Sequence, residues 1–265
     1  MLDKLSTYAF PTNGMACYYH TASVRNALDI LEFNHLFGSF PSKVNDPDDL
    51  RMSIENLDKS PYLLSRARGL DCAAIQKGLC KEVKAIMDRT YRFVCFAEAS
   101  KVDSDEKSEL YFWNEYADHF KGVRLKFLLD KNFSINPSAN DSFVGKIVYK
   151  GHTATIDASH VRNMQDFTRL IEEQGFLDGL CYSKSPNWAS EHEVRIGCHF
   201  SRLKLEMSHI TSREERFFSF NLSSLKEVSV GYAADEVDIG KLKLSLRKIN
   251  LPLHVVKTDL HYETL

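Results

Sequence analysis

No run of apolar residues in this chain approaches the roughly 20 needed to cross a bilayer, so no membrane span is expected. The N-terminal Met1-Leu-Asp-Lys leads into no signal-peptide core, and the expected location is the cytoplasm. Neither sign of charge dominates: 34 Lys and Arg face 36 Asp and Glu, a net charge of −2. That balance announces no surface built for polyanions, and nucleic acid would need a local basic patch. The six cysteines form no Cys-x-x-Cys pair. Several lie in apolar runs such as Phe93-Val-Cys-Phe96, which reads them as small, reduced, buried hydrophobes and gives no zinc-ligand spacing. A Gly-rich phosphate loop, a G-x-S-x-G turn and a His-Glu-x-x-His helix are all missing, against the usual nucleotide kinases, serine hydrolases and zinc proteases. There is no internal repeat and no low-complexity segment.

What remains is an ordinary globular composition, 43% hydrophobic and 26% charged over 265 residues. Met15-Ala-Cys-Tyr-Tyr19 reads as a buried strand ending at His20-Thr21, with Thr21 capping a helix whose apolar positions are Val24, Ala27, Leu28 and Leu31. A second helical pattern runs from Cys72 to Met87. Arg92-Phe-Val-Cys-Phe96 is the most apolar strand, and Tyr111 to Phe120 reads as a short aromatic helix stopped by Gly122. Val123-Arg-Leu-Lys-Phe127 alternates as a strand should. Val144 to Tyr149 is another strand, and Val161, Met164, Phe167, Leu170 and Ile171 mark a helix begun by Ser159. Strands near 217–220, 228–230 and 253–256 bracket a helix marked by Ile239, Leu242, Leu246 and Ile249. This mixed order predicts one α+β domain over residues 1–265, with a split, largely antiparallel or mixed sheet and flanking helices. Residues 50–90 are a candidate helical insertion covering one face.

The segment Trp188-Ala-Ser-Glu-His-Glu-Val-Arg-Ile196 carries the most chemistry. From Val194 the apolar residues alternate, so Glu191, Glu193 and Arg195 are expected together on the opposite side. Two carboxylates on one surface repel, and one must titrate high or find a cation. Such pairs serve acid–base or cation-stabilising chemistry. The competing reading is a solvated strand face on which Arg195 neutralises Glu193.

Several pieces recur in one order: an aromatic-His strand leading into a helix, Asn45-Asp-Pro47, Val94-Cys-Phe-Ala-Glu98, Phe112-Trp-Asn-Glu-Tyr-Ala-Asp118, and Lys184, Trp188 and Glu191-x-Glu-x-Arg195. Over most of residues 17–200 this resembles the bacterial domain-of-unknown-function family 2971. Asp48 departs from the aromatic that the family usually shows after Asn-Asp-Pro. A more distant resemblance, carried by His20-Thr21 at a first strand end and Glu-x-Glu at a later strand mouth, is to ADP-ribosyltransferases. That resemblance implies NAD held in the crevice of a split sheet, with His20 and Thr21 toward the adenosine-side ribose and Glu193 on the nicotinamide ribose. It gives Glu191 the activation of the acceptor. The middle Ser-Thr-Ser element is not visible, and Ser39 and Ser42 are loose candidates.

Breaking a nicotinamide–ribose bond builds positive charge on the ribose, which a preorganised carboxylate stabilises where it develops. Glu193 is the candidate for that role, Glu191 for accepting a proton, and Arg195 for keeping the pair from both protonating. Trp113, Tyr116 and Trp188 are candidate stacking surfaces, although aromatics at helical spacing more often fill a core. Asn45 is a turn former that would otherwise contact phosphates. The implied partner is a small nucleotide; the acceptor macromolecule and the oligomeric state stay open. A toxin or defence role fits such chemistry. Two other readings stand beside it. One is a metal-dependent nuclease or phosphohydrolase in which Asp46, Glu191 and Glu193 gather Mg²⁺ with Lys126 or Lys184 nearby. The other is a non-catalytic module whose Glu/Arg pairs hold the fold.

Overall fold

Alternation builds the central strands. In Val123–Leu128, Val123, Leu125 and Phe127 are wholly buried on one side. In Glu193–His199, Val194, Ile196 and Cys198 point the same way. The computed structural model describes residues 17–43, 52–67, 72–129, 141–150, 154–163, 165–167, 169, 180–199, 217–256, 260 and 262–264. Its main sheet uses β1 (Cys17–Ala22), β4 (Tyr91–Glu98), β5 (Val123–Leu128), β6 (Asp141–Lys146), β10 (Glu193–His199), β12 (Leu225–Gly231), β13 (Leu253–Val256) and β14 (Tyr262–Thr264). Their order is β14-β13-β12-β5-β1-β4-β10-β6. Only the β12–β13 pair in it is parallel, so the fold is α+β with a large mixed, mainly antiparallel sheet.

Three two-stranded ladders surround it. These are β2 (His35–Phe37) with β11 (Phe217–Ser219), β3 (Met52–Glu55) with β8 (Ala154–Asp157), and β7 (Val148–Tyr149) with β9 (Ser183–Lys184). Helices α1 (Val24–Phe33) and α6 (Glu236–Arg247) pack on one face of the main sheet through Val24, Ala27, Ile30, Leu31, Leu242 and Leu246. Opposite them, α4 (Ala99–Val102) and α5 (Glu106–Glu115) bring Ala99, Val102 and Phe112 against Tyr19 and Ala97. A separate apolar cluster joins α2 (Pro61–Ala67), α3 (Cys72–Thr90), β3 and β8 through Leu63, Val83, Met87, Ile54 and Ile156. Residues 52–90 therefore supply a strand as well as two helices.

Two local expectations are corrected. Thr21 belongs to β1 and does not cap α1; Ser23 does, its side chain accepting from the Asn26 amide at 3.3 Å. The strand at Glu193 does not reach back to Glu191, which ends a 3₁₀ turn, Pro186–Glu191. Of the helix expected from Ser159, a 3₁₀ turn at Ala158–His160 and buried Val161 and Phe167 are described, while Met164, Leu170 and Ile171 lie outside the described residues.

Candidate active site

The sheet parts in its middle. β1 pairs with β5 over all six residues, and β10 with β4 over seven. Between β1 and β4 only Tyr18↔Glu98 and Tyr19↔Ala97 are paired. The next bridge on that edge of β4 is made by Ser39, whose amide donates to Phe93 O at 2.8 Å. Into the gap between these two contacts reaches His20, with Nδ1–H donating to Cys95 O at 3.0 Å. A side chain thus takes the place of a backbone ladder bond, which keeps the Cys95 carbonyl satisfied while the strands diverge. The His20 ring lies 5.6 Å from Phe96. Burial lowers its pKa, so the imidazole is neutral, and donation from Nδ1 makes Nε2 an acceptor.

Beside this gap lie four charged side chains that are nearly inaccessible. Lys184 Nζ donates to Glu191 Oε2 at 2.5 Å and to Glu193 Oε2 at 3.3 Å. Arg195 donates from Nε to Glu193 Oε1 at 2.6 Å and from Nη2 to Oε2 at 3.3 Å. Its Nη1 donates to Cys181 O at 2.7 Å. Side-chain exposures of 5% for Lys184, 4% for Glu191, 6% for Glu193 and 1% for Arg195 overturn the solvated-face reading. That face is covered by the chain around Cys181 and by the 3₁₀ turn. Two carboxylates and two cations leave the group neutral, as burial requires, since an unpaired buried charge costs several kcal/mol.

The two carboxylates differ in kind. Burial opposes charge on Glu193, but Arg195 and Lys184 overcome it and hold the carboxyl down at about 2. The Cys95 thiol donates to it as well. For Glu191 burial prevails over Lys184, and its pKa is raised. The Tyr116 hydroxyl donates to Glu191 Oε1, and the Tyr111 hydroxyl stands 3.5 Å from the same oxygen. Burial and the Glu191 charge push both phenols up, so they remain donors. Environments that drive two acids apart are how proteins assign acid and base roles.

A cavity of about 190 Å³ opens beside these groups, its lining including His20 and Thr21 of β1, Cys95 and Ala97 of β4, Phe112 of α5 and Tyr116 at its C-cap, Ser39, Lys43, Lys184, Glu191, Glu193 and Arg195. Six expected site residues therefore meet: Glu191, Glu193, Arg195, His20, Thr21 and Tyr116. Trp188 is half-buried outside the lining, its ring 4.7 Å from Lys184 Nζ. Trp113 does not reach the cavity. It is wholly buried, stacked 5.9 Å from Phe120 with the Arg124 guanidinium 5.1 Å from its ring, because α5 turns that position inward. Asn45 and Asp46 lie outside the described residues. Sequence reasoning missed Lys184 as the shared partner of both carboxylates, Tyr111 and Cys95 as donors, and Tyr149, whose hydroxyl accepts from the Glu193 amide at 2.8 Å. The parallel pairing of Tyr149 with Lys184 holds these two residues in register, and no local pattern announces it. Among the described residues, no three His, Cys, Asp or Glu side chains are grouped to hold a metal ion, and no helix is long and apolar enough to cross a membrane.

A family model described as a protein of unknown function, DUF2971, matches residues 112–196, about a third of the chain. The matched stretch runs from Phe112 to Ile196 and so contains Tyr116, Lys184, both glutamates and Arg195. It is narrower than the 17–200 of the resemblance read from the sequence. No curated protein and no solved structure matches the chain.

Proposed function

We propose that this protein is an ADP-ribosyltransferase-like enzyme that cleaves NAD at its nicotinamide–ribose bond. The observation that carries the reading is the convergence of His20, Tyr116, Glu191 and Glu193 on one cavity at the parting of β1 and β4. At about 190 Å³ the cavity is smaller than the roughly 300–1,000 Å³ of pockets that enclose drug-sized ligands. It suits the nicotinamide-ribose end of a dinucleotide, with the remainder across the open side where Lys43 stands. Phe112 and Tyr116 offer flat surfaces to the ring. His20 offers Nε2 as an acceptor to a ribose hydroxyl. Glu193, held charged by Arg195 and Lys184, faces the carbon on which positive charge builds, and its geometry is fixed beforehand by four donors. Glu191, with its raised pKa, takes the proton of the nucleophile.

The test is nicotinamide release from NAD by the full chain and by Glu193→Gln. A preorganised group of this kind is worth about 10²–10³-fold in rate, so release falls by at least about 100-fold in the variant. Circular dichroism on the same samples checks that the variant is folded. Equal rates from the two proteins, or no release from either, reject the enzymatic reading and leave the buried charges as a structural cluster.

A further inference from the structure

The placement of Glu191 bears on what attacks the ribose. We infer that the nucleophile is water, so that the site hydrolyses NAD and does not transfer ADP-ribose to an arginine side chain; this rests on the NAD-cleaving reading above. A carboxylate has about four acceptor positions. In Glu191, Lys184 takes one on Oε2, and Tyr116 and Tyr111 both turn to Oε1. What is left suits a single O–H donor. A guanidinium pairs with a carboxylate through two parallel N–H bonds, one to each oxygen, and that fork finds Oε1 filled and a single position left on Oε2.

Charge points the same way. Lys184 and Arg195 already balance Glu191 and Glu193 among side chains no more than 6% exposed. An arginine entering there adds a fifth charge beside the Lys184 ammonium, where little water screens the repulsion. Water brings no charge. Size agrees: a cavity of about 190 Å³ occupied by a nicotinamide-ribose end leaves little space beside Glu191 beyond that of a water molecule. The step balances without a further reactant. The bond from the ribose carbon to the nicotinamide nitrogen breaks, and its electron pair leaves with neutral nicotinamide. The water oxygen bonds to that carbon, and its proton passes to the Glu191 carboxylate, giving ADP-ribose.

The experiment incubates the full chain with NAD labelled in the adenine ring, with and without excess agmatine as a free guanidinium acceptor, and separates the products. Nicotinamide and free ADP-ribose are expected in equal amounts, with agmatine leaving their ratio at one. ADP-ribosylated agmatine, with free ADP-ribose falling below nicotinamide, overturns the inference while leaving NAD cleavage standing. Absence of nicotinamide release with and without agmatine overturns both together. In parallel, the unfolding temperature of the unmodified chain is expected not to shift with agmatine alone, and a rise blocked by Glu191→Gln counts against the exclusion of guanidinium.

Discussion

Glu191 and Glu193 are two residues apart, share one lysine and titrate in opposite directions. The difference is Arg195, which bonds both oxygens of Glu193 and neither of Glu191. This has a consequence for stability. Glu193 is depressed from an ordinary 4.5 to about 2 on folding, so its charge stabilises the native state above about pH 4.5. That contribution, about 3 kcal/mol, is lost as pH falls toward 2. Glu191 has the opposite sign: its raised pKa favours the protonated native form, and acid relieves it. Urea unfolding of the parent and Glu193→Gln over a pH series is expected to show a gap that narrows by about 3 kcal/mol between pH 5 and 2. A gap that stays constant across that range contradicts the ion-pair account. The glutamates themselves stood out in the sequence because the alternation from Val194 onward is unbroken. Lys184 stood in the same motif, but its pairing with both did not show, since that depends on a 3₁₀ turn and a parallel ladder.

At the level of elements, the site depends on how strands and turns end. The reversal from Asp118 to Phe120 carries three successive positive φ angles, 47°, 51° and 64°, and Phe120 O accepts from the Ala233 amide at 3.1 Å. β12 crosses it so closely that a Cβ on Gly231 would sit 2.0 Å from Phe120 O. Gly231→Ala is therefore expected to cost about 3 kcal/mol or more. Gly240, inside α6 with nothing within 4 Å of its Cβ position, is the contrast: alanine there gains roughly 0.5–1 kcal/mol. Denaturant midpoints of the two variants check the pair, and similar effects would refute the packing argument. Ser23→Ala removes the α1 cap and is expected to cost about 1 kcal/mol by the same measurement. Most strands and helices were legible because periods of 2 and 3.6 are local. The failures are short elements such as the strands Met52–Glu55 and Ala154–Asp157, which the sequence reading did not place, and element ends. Thr21 has the right side chain for a cap but lies in an extended strand paired with Arg124. Glu191 matches the strand alternation, but His192 at φ 45° breaks the strand before it.

At the level of the molecule, one apolar core spans both halves of the parted sheet: Phe96, Val194 and Ile196 share it with Leu125, Phe127 and Val230. The cavity at the gap is lined from β1, β4 and α5, so a ligand there would touch all three at once. A bound nucleotide should brace these elements, and ligand at a hundred times its dissociation constant adds about 2.7 kcal/mol to unfolding. Calorimetric scans with rising ADP-ribose are expected to show the unfolding temperature climbing with concentration, and a flat response would count against a nucleotide in the cavity. By itself the sequence determined the α+β class, the inward faces of the strands beginning at Val123 and Glu193, and the presence of Glu191, Glu193 and Arg195 near one strand mouth. These follow from backbone periodicity, which acts between near neighbours. Tertiary structure alone decided that this face is buried, that Lys184 joins both glutamates, that His20 fills the gap in the ladder, and that Trp113 turns away from the cavity. Each depends on segments distant along the chain meeting where water is excluded, and there partners, more than residue type, set what a carboxylate can do.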